Sequence, residues 1–406
     1  MRRATAAVAV ALAAVIATCA TAATRLDPGI TEGTILLGGT SPLSGPASAY
    51  ASTARGADAY FKYVNARGGV NGRRILYKIV DDGYNPVQTV QATTQLVEQD
   101  GVFAVFNSLG TAHNEAVRAY LNQRRVPQLF VASGATTFGR DFKRYPWTIG
   151  FQPSYRAEGW IYGTFLARTK PRSRVAVLFQ NDAYGQDLIA GLKQGLARST
   201  VKVVAAQPYE VTAPDVQSQV AKLKASGANV LALFATPKFA TQAYVFVERL
   251  AWKPLIVVNA VANASNVLAA AVDGGAATAV ENSLSIAYLK DPTSANWQDD
   301  AAVKLYRSIL SRYAKGANAR DVFHLYGMAV AYETVKVLAA AGKTPTRASL
   351  LAQLRRLNDP ANPFLLPGIV VRTSATERFP VEQVLLQRWS KGAWSTFGGL
   401  WGYRAG

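Results

Sequence analysis

The stretch VFAVFNSLGTAHNEAVRAYLNQRRVPQLFVA, residues 102–132, decides the fold of this chain. It opens with the apolar run Val102–Phe106, crosses a polar loop, continues as a helical segment over Asn114–Asn122 and closes with a second apolar run, Gln128–Ala132. Two short apolar runs separated by a helix predict parallel strands joined by a crossover helix. Because both runs are continuously apolar, helices are expected to cover both faces of the sheet.

The same alternation extends toward the N-terminus. Tyr50–Asn65 has the spacing of an amphipathic helix. Asn85 followed by Pro86 supplies the residue types of a helix N-cap and first helical position. The strands predicted on this side are Ile35–Gly38 and Ile75–Ile79.

A second series of the same units follows a break near Thr148–Pro153. Its predicted strands are Val175–Phe179, Val201–Ala205, Val230–Phe234 and Leu255–Val258, and its predicted helices are Leu188–Arg198, Val216–Ala225 and Ala240–Leu250. Two such series predict two α/β domains, each with a parallel sheet. Further helical segments, Trp297–Tyr313 and Asp321–Ala341, come after the second series.

Composition limits the function classes. The 406 residues have a globular balance of 50% hydrophobic and 17% charged residues, which excludes a disordered or fibrous chain. A single cysteine, Cys19, excludes an intramolecular disulfide and a cysteine-based zinc site. The two histidines, His113 and His324, are far apart in sequence, so we expect no metal and no cofactor.

The charge is strongly basic, with 44 Lys and Arg against 25 Asp and Glu and a net charge of +19. A nucleic-acid or membrane-surface binder is one interpretation. However, the basic residues are spread along the whole chain, without a run of five like charges. This distribution favours a generally basic surface and no nucleic-acid partner.

The first 22 residues have the pattern of a secretory signal peptide. Met1-Arg2-Arg3 is a positive start, Ala6–Ala17 an apolar stretch too short to span a bilayer, and Ala20-Thr21-Ala22 a small-residue cleavage site. Cys19 offers a lipoprotein route instead, although Thr18 fits poorly before a lipidated cysteine. Both routes predict a secreted protein, periplasmic or associated with the cell envelope.

Catalytic motifs are not evident. The sequence has no G-x-S-x-G, no H-E-x-x-H, and no G-x-G-x-x-G after a strand. His113, near the end of a strand, is a candidate to line a cleft, whereas His324 lies in an apolar helix and is interpreted as a core residue. We therefore expect a protein that is not an enzyme.

Three polar loops follow predicted strands of the first series. Ser41–Pro46, Asn107–Ala112 and Ala132–Thr137 are rich in Ser, Thr and Gly. Ligands of open α/β sheets bind at the carboxyl ends of strands, where hydroxyls and backbone N–H groups near helix N-termini receive anions. Helix capping uses the same residue types, but three such loops on one sheet favour an anion-binding rim.

Six short motifs occur in order along the chain. They are SGPASAY (44–50), NARGGVNG (65–72), DDGYNP (81–86), NSLGT (107–111), VPQLF (126–130) and NDAYG (181–185). On these residues the chain resembles the type I periplasmic solute-binding proteins of ABC importers, the leucine/isoleucine/valine-binding group. The resemblance covers nearly all of the chain after the leader.

The resemblance implies two Rossmann-like parallel-sheet lobes joined by a three-strand hinge, which close on a ligand. Lobe 1 would comprise residues 27–150 and 286–368, and lobe 2 residues 151–285 and 369–406. A carboxylate ligand would be held between them by hydroxyl, backbone and aromatic groups. The matching positions are Tyr50, Ser108, Thr111, Gly134, Thr136, Tyr184, Thr236 and Asn259.

One position departs from the family pattern. Amino-acid-binding members place an acidic residue where this chain has Asn259, and burying an ammonium group without a counter-charge is costly. The motifs are similar to a subgroup associated with lignin-type aromatic acids, so an aromatic carboxylate is favoured over a branched-chain amino acid. Additional candidate contacts are Trp147, Phe151, Tyr155 and Arg156.

The implied function is capture of a small carboxylate by a monomer that delivers it to the transmembrane subunits of an ABC permease. Two alternatives come from other classes. A secreted hydrolase would hydrolyse model esters, and a polyanion binder would show salt-sensitive retention on heparin without binding a small molecule.

Overall fold

The computed structural model describes residues 26–403, which form two α/β lobes with separate sheets. The signal-peptide prediction for residues 1–22, including Cys19, lies outside the described residues. In the part of the chain from 26 to 403, no helix has the length and apolar character needed to cross a membrane. The predicted fold class, two parallel-sheet α/β lobes, is confirmed.

The first lobe is built on a five-stranded parallel sheet. Its strands are β1 (Thr34–Ser41), β2 (Arg74–Asp81), β3 (Ala104–Phe106), β4 (Gln128–Val131) and β5 (Thr148–Gly150), in the order β2-β1-β3-β4-β5. Its helices are α1 (Ala51–Asn65), α2 (Pro86–Glu98), α3 (Thr111–Gln123) and α4 (Thr137–Arg140). As predicted, the Asn85 side chain caps α2 by accepting a hydrogen bond from the Val87 N–H.

The second lobe continues the alternation from residue 155. Its helices are α5 (Tyr155–Thr169), α6 (Ala183–Leu196), α7 (Gln217–Ala225), α8 (Pro237–Arg249), α9 (Ser265–Asp273) and α10 (Ala277–Val280). Its strands are β6 (Arg174–Gln180), β7 (Lys202–Tyr209), β8 (Val230–Phe234), β9 (Leu255–Val258) and β10 (Leu284–Ala287).

The remaining elements are divided between the lobes. They are α11 (Ala301–Tyr313), α12 (Val322–Ala340), α13 (Arg347–Leu354), β11 (Asn358–Asp359), β12 (Val371–Arg372), β13 (Gln383–Ser390) and β14 (Ala393–Gly402). Helix α12 packs on α1 of the first lobe through two glycines. A Cβ at Gly327 would lie 2.8 Å from the Ala57 nitrogen, and one at Gly56 would lie 2.7 Å from the His324 Cα. Only glycine permits this approach of two backbones.

The second sheet has seven strands in the order β14-β13-β10-β9-β8-β6-β7. It is not wholly parallel as predicted, because β13 pairs antiparallel with both β10 and β14. The turn between β13 and β14 consists of Lys391 and Gly392, whose φ angles are 53° and 81°. Positive φ at both central residues is the geometry of a two-residue hairpin turn, which forces antiparallel pairing.

Candidate ligand-binding cleft

A cavity lies between the lobes at the carboxyl ends of their parallel strands. Leu109 and Ala132 follow β3 and β4 in the first lobe, and Ala260 and Ala287 lie at the ends of β9 and β10 in the second. The empty volume, which includes part of the open mouth, is about 890 Å³. This is the edge of an α/β sheet at which ligands are expected.

Aromatic side chains dominate the wall of this cavity. Six tyrosines contribute to the wall together with Phe323 and Trp394; the tyrosines are Tyr50, Tyr84, Tyr155, Tyr184, Tyr288 and Tyr326. The rings of Tyr50 and Phe323 meet edge to face at 5.0 Å, and those of Tyr155 and Tyr184 at 4.9 Å. Burial raises the pKa of Tyr50 and of Tyr184 well above the ordinary value. Their hydroxyls therefore remain protonated; that of Tyr50 donates to the Val261 carbonyl oxygen, and that of Tyr184 lies 2.8 Å from the Asn259 amide.

The N-terminus of α3 opens into the first-lobe side of the cavity. Gly110 and Thr111, the N-cap and first residue of this 13-residue helix, both contribute to the wall. The Thr111 Oγ1 lies 2.7 Å from the Ser133 Oγ. Unpaired N–H groups and the helix dipole create a partial positive charge at such a terminus, which favours an anion.

Asp291 supplies a negative charge to the wall. Its carboxylate accepts hydrogen bonds from the Ser265 Oγ at 2.6 Å and from the Thr293 N–H and Oγ1 at 2.7 and 2.8 Å. A carboxylate has about four acceptor positions, so one is left. Among the lining residues in the described chain (26–403), Asp291 is the one acidic residue, and none is Lys or Arg.

Four of the eight predicted site residues line the cavity, namely Tyr50, Thr111, Tyr184 and Thr236. Ser108 instead accepts a hydrogen bond from the Thr40 N–H at 3.0 Å. Gly134 lies beneath the Tyr155 ring, where a Cβ would approach Cδ1 to 2.8 Å. These two positions support the rim of the cavity without reaching its interior.

Thr136 joins the two lobes. Its N–H and Oγ1 donate to the carboxylate of Asp187 on α6, at 2.7 and 2.6 Å. A second bond between the lobes runs from the Tyr50 hydroxyl to the Val261 carbonyl oxygen at 2.8 Å. Burial raises the pKa of Asp187. The hydroxyl that sequence analysis assigned to a ligand thus bonds the opposite lobe, and these hydrogen bonds join the two lobes beside the cavity.

Asn259 lies behind Tyr184 and does not line the cavity. Its side-chain amide is 2.8 Å from the Tyr184 hydroxyl. With the amide oxygen facing that hydroxyl, the amide nitrogen donates to the Leu233 and Ala235 carbonyl oxygens at 3.0 and 3.1 Å. The amide of Asn259 therefore orients Tyr184 and does not face the cavity. A neutral residue at position 259 consequently does not determine the charge that a bound ligand would meet.

Sequence analysis missed several lining residues. Tyr288 and Asp291 follow β10, a four-residue strand that the apolar pattern did not identify. Tyr84 also lines the cavity, and its place in the DDGYNP motif (81–86) is the sequence feature that could have identified it as a site residue. His113 is buried against Tyr84, with ring centroids 4.3 Å apart, and does not line the cavity.

A buried carboxylate supports the floor of the second lobe. The Glu158 Oε1 accepts hydrogen bonds from the Tyr162 hydroxyl and from the N–H of Ala260, both at 2.6 Å. Burial is the main cause that raises the pKa of Glu158 to about 7. The folded protein thus holds a proton at Glu158 at pH values where the unfolded chain has released it.

Glu158→Gln is expected to flatten the pH dependence of stability. Because the folded-state pKa is raised, the Glu158 contribution is fully present below about pH 4.5 and is lost as pH rises through about 7. Between pH 5 and pH 8 this loss amounts to roughly 2.5 kcal/mol. Urea unfolding of the wild type and of Glu158→Gln at pH 5 and pH 8 would measure this loss. The pH-dependent contributions of all other groups are the same in the two proteins and cancel in the difference. Parallel profiles for both proteins would contradict this.

Comparisons with known proteins agree with this geometry. The family model described as "Periplasmic binding protein" matches residues 34–393. A Leu/Ile/Val-binding protein homolog 3 of Brucella melitensis is 27% identical over 202 residues, which is 48% of this chain and 53% of the relative. The chain thus spans about half the length of the curated relatives that it matches.

Two solved structures share the fold. A branched chain amino acid ABC transporter protein of Thermus thermophilus with bound valine has a TM-score of 0.80 at 17% identity, covering 91% of this chain and 97% of its own. An ABC transporter solute binding protein of R. palustris in complex with benzoate has a TM-score of 0.75 at 17% identity, covering 90% and 96%. At these identities the likeness concerns the fold alone.

Proposed function

Because the chain belongs to the periplasmic binding protein family, we propose that it is the solute-binding component of an ABC import system. It captures a small organic carboxylate between its lobes outside the cytoplasm and delivers it, as a non-catalytic monomer, to a membrane permease. The observation that carries this proposal is the interlobe cavity, with aromatic walls and a helix N-terminus at one side.

The body of the ligand is aromatic or bulky and apolar. Tyrosine, phenylalanine and tryptophan rings around a cavity bury the faces and edges of a second ring, which stabilises it by apolar burial and by edge-to-face contact. The paired rings at 4.9–5.0 Å leave the wall preorganised for such a body. The benzoate held by the R. palustris protein is a ligand of this kind.

The carboxylate end belongs at the N-terminus of α3. Gly110 and Thr111 offer a dipole and a hydroxyl there. In a cavity that shields the ligand from most of the solvent, such groups stabilise an anion more than they would in water. Asp291 is tied to Ser265 and Thr293, so in this arrangement its role is to join α9 to the connection after β10.

A hydrophobic amino acid is the second candidate. Asp291 favours it, because the carboxylate can pair with an α-ammonium group while α3 receives the α-carboxylate. A valine-bound structure and a Leu/Ile/Val-binding homolog are among the similar proteins. The two candidates differ by one charged group, so a matched pair of ligands separates them.

The wild-type protein is expected to bind 3-phenylpropanoate more tightly than L-phenylalanine, which differs only by the α-ammonium group. Asp291→Asn should raise the affinity for 3-phenylpropanoate about fivefold, because roughly 1 kcal/mol of repulsion between two carboxylates is removed. Isothermal titration of both ligands against both proteins measures this. Tight phenylalanine binding that Asp291→Asn abolishes would establish the amino-acid candidate instead.

A hydrolase and a polyanion binder make different predictions. The cavity wall, within residues 26–403, contains neither histidine nor serine nor cysteine, so it gives no support to a hydrolase that uses a serine or cysteine nucleophile with a histidine base. Ester hydrolysis by the pure protein would support the hydrolase. Salt-sensitive heparin binding without any small-molecule binding would support the polyanion binder.

A further inference from the structure

Two amide side chains contribute to the second-lobe wall of the cleft, beside the end of β10. Asn263 follows β9 and Gln387 lies on β13, and both line the cavity. The Asn263 Nδ2 donates a hydrogen bond to the Ile286 carbonyl oxygen at 2.9 Å, and the Gln387 Nε2 donates to the same oxygen at 3.1 Å. Because they share one acceptor, the two amide groups lie close together.

These hydrogen bonds fix the direction in which each amide faces. An amide nitrogen donates and an amide oxygen accepts, so the nitrogen of each side chain must face the Ile286 carbonyl. The Asn263 Nδ2 also donates to the Ser285 Oγ at 2.9 Å. The Trp394 Nε1 donates to the Asn263 backbone carbonyl oxygen at 2.7 Å, which holds the backbone of this residue in place. Each amide oxygen is therefore directed away from the Ile286 carbonyl.

The two amide oxygens have no donor from the protein. Within residues 26–403, neither the Asn263 Oδ1 nor the Gln387 Oε1 accepts a hydrogen bond, and neither is among the unpartnered polar atoms that are sealed from water. Gln387 is nevertheless only 6% exposed, and the open space that it borders is the cavity. A buried acceptor is destabilising unless a donor replaces the water that it has lost. This wall therefore suits a hydrogen-bond donor on the ligand.

The first-lobe wall has the opposite polarity. The N-terminus of α3, with Gly110 and Thr111, favours an anion, whereas the second lobe presents two neutral oxygens that accept. A neutral hydroxyl satisfies such oxygens without any counter-charge. An ammonium group at the same place would need one, and the Asp291 carboxylate already accepts from Ser265 and Thr293. The amide pair thus favours a hydroxyl over an ammonium group.

We propose that Asn263 and Gln387, the amide pair, form a subsite for a hydroxyl group on the body of the ligand. The transported solute is then a hydroxylated carboxylate, with an aromatic hydroxy acid as the class that fits the aromatic wall. The inference rests on the proposed function, because it assumes that the cleft holds the solute. One neutral hydrogen bond to a buried acceptor corresponds to a preference of about fivefold or more over the ligand that lacks the hydroxyl.

Isothermal titration of 3-phenylpropanoate and of its 3-hydroxyphenyl and 4-hydroxyphenyl analogues tests the subsite. One hydroxylated analogue is expected to bind the wild type at least fivefold more tightly than the parent. Gln387→Met, which nearly conserves volume and leaves the Ile286 carbonyl bonded to Asn263, should reduce this preference to about twofold or less. Asn263→Leu is the second variant. Gln91→Met, at an exposed glutamine on α2, is the matched control and should keep the full preference.

The ratio of the two affinities separates recognition from structural damage. A distorted cleft weakens the parent and the hydroxylated ligand alike, whereas loss of the subsite weakens only the hydroxylated one. The proposal would be overturned by equal affinities of the wild type for the parent and both analogues, provided that the parent binds. A preference retained by both Gln387→Met and Asn263→Leu would also overturn it.

Phenol distinguishes failure of the subsite from failure of the proposed function. If none of the three acids binds, the carboxylate function is wrong, and binding of millimolar phenol, followed by the NMR signals of phenol, decides on the subsite. Phenol binding by the wild type that Gln387→Met or Asn263→Leu weakens at least threefold would support the amide pair as a hydroxyl subsite. Absence of phenol binding, or equal binding by all three proteins, would overturn it.

Discussion

Gly159→Val is expected to lower the free energy of unfolding by about 3 kcal/mol or more, because two helices cross at this glycine. A Cβ at Gly159, on α5, would lie 2.7 Å from the Leu192 nitrogen and would overlap the Leu188 carbonyl oxygen, both on α6. These atoms are backbone, so they cannot turn aside as a side chain can. Either the helices separate or the valine is strained.

Glycines of α6 approach the backbone of α5 as closely as Gly159 approaches the backbone of α6. On α6, a Cβ at Gly191 would lie 2.9 Å from the Trp160 nitrogen, and one at Gly195 would lie 2.7 Å from the Thr164 nitrogen. On α5, a Cβ at Gly163 would lie 2.9 Å from the Gly195 Cα, so glycines spaced by four on each helix form one continuous contact between the two backbones. Gly191→Val is expected to have an effect similar to that of Gly159→Val.

Urea unfolding of both variants against the wild type measures the effect. Gly399→Val is the matched control, since among residues 26–403, its two chain neighbours aside, no atom lies within 4 Å of the Cβ position at this glycine of β14. We expect the control to change stability by about 0.5 kcal/mol or less. Urea midpoints that coincide for Gly159→Val and Gly399→Val would show that α5 and α6 do not approach this closely.

Ala287→Trp is expected to weaken the binding of 3-phenylpropanoate about 100-fold. Ala287 ends β10, is 7% exposed and lines the cavity. The indole would occupy the space assigned to the ligand's ring, whose burial is worth about 3 kcal/mol. Because the new side chain extends into an existing cavity, the fold should be retained.

Isothermal titration and a thermal melt of the same preparation test this together. Ala270→Trp, on the exposed face of α9, is the control and should leave affinity unchanged. Unchanged affinity of Ala287→Trp, with a normal melting temperature, would place the ligand outside the cleft and would contradict the proposed site.

The regular elements could be predicted because they depend on local pattern. Asn85 and Pro86 begin α2 as their residue types require, because the unpaired Val87 N–H donates to the Asn85 side-chain oxygen and proline has no N–H to satisfy. The alternation of apolar runs with amphipathic helices predicted the parallel strands β1 to β4 and β6 to β9. The antiparallel hairpin was missed, although Lys391-Gly392 is a turn signal between two strands.

The candidate site was predictable only as a region. The Ser- and Gly-containing loop after Phe106 brings Thr111 to the cavity, because its position at the end of a parallel strand is fixed by the sheet. Thr136, the other threonine of lobe 1 predicted to contact the ligand, follows a similar loop, but its hydroxyl donates to Asp187 of the other lobe. Nothing in the local sequence distinguishes these two threonines.

The sequence by itself determined the alternation of strands and helices, the two-lobed class and the edge of the sheets where a ligand belongs, since apolar period and loop composition are local properties. The tertiary structure alone decided which side chains face one another across long separations. It placed Asn259 behind Tyr184 and brought Asp291 into the cavity wall. Contacts of this kind depend on how packed elements cross, and neither periodicity nor spacing along one element records that geometry.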